Sequence, residues 1–284
     1  MSSLVVDGTR IVYYVDGQSS APALVLINSL GTDLRMWDSQ IDIFRQCFRV
    51  IRYDSRGHGG SQCSQEPVTI DRLGRDVLAL LNHIGVPRAH ICGLSLGGLT
   101  ALWLAVHHPA RVDCAVFANT AARIGTVAGW EARIAAVRAG GMRAIREMVV
   151  ERFLSESFRA AHPDTACAIG DMVEGIDAEG YVAACAALRD ADLSALVARV
   201  QAKSLVMGGA FDESTPSFQA RELHAAIPGS ELAIIAAAHL SNVELPDEFS
   251  RLMVEFLLPW PGPSDRGANR REQSLQGGAA HRAI

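Results

Sequence analysis

Apolar residues recur in short runs separated by turn signals along most of the chain. Residues 10–15 alternate as a half-buried strand does, and the alternation stops at Asp16-Gly17, a turn signal. Residues 23–27, Ala-Leu-Val-Leu-Ile, form an unbroken apolar run of the kind found in strands covered on both faces. Further strands are predicted at 48–53, 89–93, 112–118, 204–207 and 231–236. Between them, 70–84 reads as a helix because Leu73, Val77, Leu80, Leu81 and Ile84 share one face. A second helix is predicted over 99–106 and a third over 221–226. Strands that alternate with helices pair in parallel through right-handed crossovers. The expected fold class is therefore α/β, with a mostly parallel central sheet flanked by helices.

The strand rhythm stops over 120–199. This segment is rich in alanine, with helical spacing at 130–137 and 142–153. It is read as a helical cap, or lid, inserted over the end of the sheet, with ordinary covering helices as the alternative. The core would then comprise 1–119 and 200–260. From Pro261 onward the chain is polar without a periodic apolar face, and 261–284 is expected to be a disordered tail.

Composition narrows the function classes. With 284 residues, 49% of them hydrophobic, the chain is long enough to bury about three-quarters of its unfolded surface. A net charge of -5 argues against a nucleic-acid partner. Lys203 is the lone lysine, a skew toward arginine to which no function attaches. Residues 1–7 lack the charged and apolar regions of a signal peptide, and no uninterrupted apolar stretch reaches the ~20 residues of a membrane span. The six cysteines show no CxxC spacing, so they are expected to be reduced, mostly buried thiols in a cytoplasmic protein.

The strongest chemical signal is Gly93-Leu94-Ser95-Leu96-Gly97, between a predicted strand and a predicted helix. A serine on such a turn is held in strained geometry with its hydroxyl above the sheet. Side chains at Gly93 and Gly97 would collide with the tightly turned backbone. A serine hydroxyl is a weak nucleophile and needs a base that is itself oriented by a carboxylate. In this arrangement the acid and then the histidine follow the serine in the chain. Asp212 ends the segment after strand 204–207, with Glu213 adjacent and a helix-capping role as the alternative. His239 stands in a loop just after the last predicted strand. Elsewhere, His224 lies on a helix, His107 and His108 sit at a helix end, and His58 belongs to a turn in Arg56-Gly57-His58-Gly59. Acyl transfer also needs donors for a developing oxyanion. The candidates are the backbone N–H groups of Leu96, directly after the serine, and of Leu30 in Asn28-Ser29-Leu30-Gly31.

These motifs carry a resemblance. Asn28-Ser29-Leu30-Gly31-Thr32-Asp33 with Met36-Trp37-Asp38, Arg52 to Gly59, Gly93 to Gly98, Gly129 to Gly141, Tyr181 to Leu193 and Ala238 to Glu244 are similar to the 3-oxoadipate enol-lactonases of bacterial aromatic-compound degradation. The likeness covers 5–258. The core motifs belong to the α/β-hydrolase superfamily at large, whereas the segments within 120–199 point to this subfamily. Gly208-Gly209-Ala210-Phe211-Asp212 is looser than the family's usual acid segment, and the tail has no counterpart.

The resemblance implies an α/β-hydrolase fold with its cap after the sixth strand. It also implies hydrolysis of 3-oxoadipate enol-lactone through an acyl-enzyme on Ser95, with no metal or organic cofactor. The partner would be a small lactone bearing a carboxylate. Arg133, three residues after Trp130 and on the same helical face, is the candidate cation for that carboxylate, with a solvated surface arginine as the alternative. Ser29, Trp130 and Arg133 are thus the candidate substrate-binding residues. A general carboxylesterase or cofactor-free perhydrolase would share the triad without needing Arg133. A non-catalytic binding protein on the same fold is the reading from another class. Monomer and homo-oligomer both remain open.

Overall fold

The computed structural model describes residues 1–64 and 66–258, in which the seven expected strands and one further strand form one eight-stranded sheet. Its strands are β1 (Ser2–Val6), β2 (Thr9–Asp16), β3 (Ala23–Ile27), β4 (Arg49–Tyr53), β5 (Ala89–Leu94), β6 (Val112–Ala118), β7 (Lys203–Gly209) and β8 (Glu231–Ile235). Their spatial order is β1-β2-β4-β3-β5-β6-β7-β8. The β1–β2 and β2–β4 pairs are antiparallel and all the others parallel. Strands β3 to β6 end in residues that are almost wholly buried, as the continuous apolar runs require.

β1 was not among the expected strands. It buries only Leu4 and Val6 and joins β2 through Asp7-Gly8, both in the left-handed region at φ 47° and 75°. That dipeptide between two alternating runs is a hairpin signal. With β1 counted, β6 is the sixth strand.

Helices α1 (Asp38–Phe44), α2 (Ile70–His83) and α3 (Leu96–His107) lie between the early strands. The face of α2 that carries Leu73, Val77, Leu80 and Leu81 is buried, and the Thr69 hydroxyl caps the helix by accepting from Arg72 N–H at 3.1 Å. α3 is buried over nearly its whole circumference, so its N-terminus is fixed at the middle of the sheet.

Between β6 and β7 the chain carries helices and no strand. These are α4 (Val127–Gly140), α5 (Arg146–Phe153), α6 (Glu156–Ala161), α7 (Pro163–Glu174) and α8 (Ala178–Asp190). α4 packs on α8 and α5 on α7. The helix expected over 142–153 is broken. Gly141, at φ 68°, ends α4, a 3-10 turn spans Met142–Ala144, and α5 starts only at Arg146. After β7 come α9 (Ser217–Ala226), α10 (Ser241–Glu244) and α11 (Pro246–Leu257).

The six cysteines are free thiols, but only Cys92 and Cys185 are buried. Cys167 is exposed because the buried positions of α7 are Ile169, Gly170, Met172 and Val173, and residue 167 falls off that face. No helix among the described residues is long and apolar enough to cross a membrane. The tail 261–284, expected to be disordered, lies outside the described residues.

Candidate active site

β5 hands over to α3 through a single residue. Ser95 has φ 59° and ψ −114°, a conformation that costs a non-glycine residue roughly 1–3 kcal/mol and persists only where its surroundings enforce it. Here they do. Ser95 N–H donates to the Ala118 carbonyl at 3.0 Å, and the Ser95 carbonyl accepts from the Thr120 hydroxyl at 2.8 Å and from Leu99 N–H at 3.0 Å. A Cβ on Gly93 would run into the Gly97 carbonyl, and one on Gly97 into the Ile27 carbonyl. Both positions must therefore stay glycine for the turn to close.

The acid and the base meet beyond the ends of β7 and β8. Asp212 and His239 are buried, and the His239 Nδ1 lies 2.8 Å from Asp212 Oδ2. The same oxygen accepts from Asn119 Nδ2 at 3.0 Å and from the Thr215 hydroxyl at 2.8 Å. Asp212 Oδ1 accepts from the N–H groups of Ser214 and Thr215 at 2.8 and 2.9 Å. Burial by itself would raise the Asp212 pKa. The imidazole beside it and these donors outweigh burial and hold it below the usual carboxylate range. The alternative helix-cap role does not apply, because the residue before α9 is Pro216. Asn119, left-handed at φ 45°, is itself fixed by Ser241, whose hydroxyl donates to Asn119 Oδ1 at 2.6 Å. Glu213, the neighbouring carboxylate, faces outward at the cavity rim.

Leu30 sits in the loop after β3. Its N–H and that of Leu96 donate to no acceptor among the described residues. His58 fixes this loop. Gly31 N–H donates to His58 Nε2 at 3.1 Å, and His58 Nδ1 faces the Arg56 carbonyl at 3.0 Å. An imidazole that accepts at Nε2 and donates at Nδ1 is neutral, and burial pushes its pKa below the ordinary value in the same sense.

Ser29, Leu30, Ser95 and His239 line one cavity of about 300 Å³, closed from the other side by Trp130, Arg133, Arg152, Phe153 and Tyr181. The Ser29 hydroxyl is buried and has no partner in the protein. Ser95 and His239 share this wall without a hydrogen bond between them, a looseness common in ligand-free sites. Arg133 stands over the Trp130 ring at 5.7 Å, donates to the Tyr181 hydroxyl at 3.2 Å, and lies 3.2 Å from the Met148 sulfur. It is half-buried and has no carboxylate partner among the described residues. Burial pushes the Tyr181 phenol up to about 12, against the lowering influence of Arg133. The Trp130 indole N–H donates to the Ile124 carbonyl at 2.7 Å, leaving the ring to present its face. No group of three or more His, Cys, Asp or Glu side chains among the described residues is arranged to hold a metal ion.

A mostly parallel sheet in this order, with a serine lifted on the β5–α3 turn, is the architecture of the α/β-hydrolases. A family model described as alpha/beta hydrolase fold matches residues 22–246. 3-Oxoadipate enol-lactonase 2 of Acinetobacter baylyi is 40% identical over 249 residues, 87% of this chain and 93% of its own length. 3-Oxoadipate enol-lactonase 1 of the same organism is 36% identical over 88% of this chain and 94% of its own. The crystal structure of the enol-lactonase from Burkholderia xenovorans LB400 superposes with a TM-score of 0.89 at 39% identity, covering 90% of this chain and 99% of that one. The chain belongs to the α/β-hydrolase family and, within it, to the 3-oxoadipate enol-lactonase group.

All eight residues singled out in the sequence fall at this site. Ser29, Leu30, Ser95, Trp130, Arg133 and His239 line the cavity, Leu96 follows Ser95, and Asp212 lies behind His239. Sequence reasoning missed Asn119, although a polar residue at the end of an apolar strand was a usable signal. It assigned no role to Thr215, Tyr181 or Glu244, and placed His58 beside the site without its link to Gly31. Phe153 and Arg152 gave no signal before their helix was placed.

Proposed function

We propose that this protein hydrolyses 3-oxoadipate enol-lactone to 3-oxoadipate, with Ser95 as nucleophile, His239 as general base and Asp212 as the carboxylate that orients it. The observation that carries the reading is the 2.8 Å bond between His239 and Asp212 at the wall of a cavity that also holds the strained Ser95. The likeness to enol-lactonases over most of the chain supports the substrate.

His239 takes the proton of Ser95 as the serine oxygen bonds to the ring carbonyl carbon. The oxyanion that forms accepts from the N–H groups of Leu30 and Leu96, a contribution of about 3 kcal/mol per donor. As the ring C–O bond breaks, His239 passes that proton to the leaving oxygen, which leaves an acyl-enzyme and an enol at the other end of the same chain, and the enol tautomerises to a ketone. Water, deprotonated by His239, then attacks the acyl carbon, and His239 returns the proton to the Ser95 oxygen as it leaves, which releases a second carboxylate. Side chains, backbone and water supply every group these steps use.

Arg133 holds the substrate carboxylate, Trp130 packs on the lactone ring, and the free Ser29 hydroxyl bonds a substrate oxygen. In this reading 120–199 is the cap and 1–119 with 200–260 the core. A cytoplasmic setting accords with six unpaired cysteines.

The test is hydrolysis of the enol-lactone, followed by its ultraviolet absorbance, with Ser95→Ala as control. Rapid loss abolished by the substitution, with neutral esters turned over poorly, is the expected result. Good turnover of neutral esters and little of the lactone would leave the triad standing and sink the substrate assignment.

A further inference from the structure

Glu244 is a buried carboxylate that the proposed chemistry does not use. It lies at the end of α10, five residues after His239, and no cation pairs with it among the described residues. Three donors hold it instead, and they come from two separate parts of the chain. Ala238 N–H, directly before His239, donates to Oε2 at 3.2 Å. Ser155, at the junction of α5 and α6, donates its N–H to Oε1 in a short hydrogen bond and its hydroxyl to Oε2 at 3.2 Å. A fourth bond runs in parallel with these, from Leu240 N–H to the Phe153 carbonyl at 2.9 Å. The Phe153 ring in turn stacks on the His239 imidazole, with centroids 5.5 Å apart and planes at 27°.

We infer that Glu244 is a positioning residue that clamps the α5–α6 junction to the His239 loop and thereby sets the place of the imidazole. Asp212 at 2.8 Å and the Thr215 hydroxyl at 3.5 Å both meet the same ring nitrogen, and contacts at one atom leave the ring free to swing about it. The second constraint comes from Phe153 on the ring face and from the loop ends at Ala238 and Leu240. Glu244 ties both together. A carboxylate suits the task because its two oxygens accept donors from two segments at once, and hydrogen bonds to a charged acceptor are about twice as strong as neutral ones. It also explains how a buried acid is tolerated without a cation, since each oxygen has a partner. The imidazole and the wall above the substrate therefore move as one unit.

The inference rests on His239 being the base, so its test must separate the two. The rate of Ser95 modification by a fluorophosphonate probe, kcat and KM for the enol-lactone, and melting temperature are measured for wild type and Glu244→Gln. The amide keeps one acceptor oxygen but sets an NH₂ against a backbone donor. Labelling and kcat should both slow by about tenfold or more, as displacements of the order of 1 Å do, with KM within about threefold. The low-field Nδ1 proton of His239 should exchange faster with water, an effect that a general loss of packing at constant melting temperature does not produce. Equal labelling rates and an unchanged Nδ1 proton would overturn the clamp while leaving the triad intact. An unlabelled wild type would remove the triad and the clamp together. Should Glu244→Gln not fold, Phe153→Leu takes its place: slowed labelling is again the expected result, and an unchanged rate overturns the inference.

Discussion

The two walls of the cavity are built from different interactions. On the sheet side, Ser95 is pinned by three hydrogen bonds of 2.8 to 3.0 Å, and Asp212 accepts five from four residues. On the side of the helices between β6 and β7, Arg133 rests on a neutral phenol, a thioether and a ring face, at 3.2, 3.2 and 5.7 Å. The first wall resists displacement, because moving any member leaves buried polar groups unpaired. The second keeps a cation uncommitted, so that under the proposed function an incoming carboxylate would meet a guanidinium without having to displace another carboxylate. The proposed function assigns chemistry to the rigid wall and substrate fit to the adaptable one, and on that proposal substitutions on the two should separate kcat from KM.

The largest effect belongs to the rigid wall. Asp212→Asn removes the charge that fixes the His239 tautomer, and kcat should fall about 10⁴-fold with little change in KM. Steady-state kinetics on the lactone checks this, and a loss expressed mainly in KM would place Asp212 outside the triad.

Next comes the loop that presents Leu30. His58→Ala deletes the acceptor of Gly31 N–H and should lower kcat about 10- to 100-fold, short of the loss of a whole oxyanion donor. His58→Gln can return an amide oxygen near the Nε2 position and should recover most of that loss. Equal damage by both substitutions would mean that His58 acts by filling space.

On the adaptable wall, Arg133→Gln should raise KM for the lactone by about 10- to 100-fold, the worth of a charge-assisted hydrogen bond, and leave kcat nearly unchanged. Turnover of a neutral ester should not respond. A fall in kcat on both substrates would show instead that Arg133 supports Tyr181 and the packing of α4 on α8, not the ligand.

The same division governs what the sequence reveals. Ser95, Asp212 and His239 are legible because each stands just after an apolar strand, and strands announce themselves locally. The network around them is not. Asn119 lies 93 residues from Asp212 and Ser241 lies 122 from Asn119, so only the folded sheet brings them together. Arg133 could be placed on the face of Trp130 from helical spacing alone, yet its contact with Tyr181 spans 48 residues and two helices. Spacing likewise suggested one helix over 142–153, whose first residues form a 3-10 turn, so that α5 starts only at Arg146. β1 was missed although Asp7-Gly8 marks its hairpin, because a five-residue edge strand with two buried side chains offers little pattern.

The smallest expected effect is on stability, and it again sets one wall apart. His58 is held neutral by burial, against the raising influence of the Arg56 carbonyl and of Asp33 and Asp177. In the unfolded chain it takes up a proton near 6.5, the ordinary value for histidine. As pH falls through that value the unfolded state binds a proton that the folded state refuses, so stability is lost toward acid and is fully present above it. One such group contributes a slope of at most about 1.4 kcal/mol per pH unit. His90 and His108, also lowered chiefly by burial, act in the same direction, so the informative quantity is a difference between proteins. Melting temperatures of wild type and His58→Gln between pH 7.5 and 5 should converge as the pH drops, because the variant lacks this term. Arg133→Gln, on the wall without a buried titrating group of this kind, should track the wild type in parallel across the same range. Parallel curves for both variants would mean that His58 takes up a proton as readily in the folded protein as in the unfolded chain, and the neutral acceptor proposed for the Leu30 loop would have to be given up.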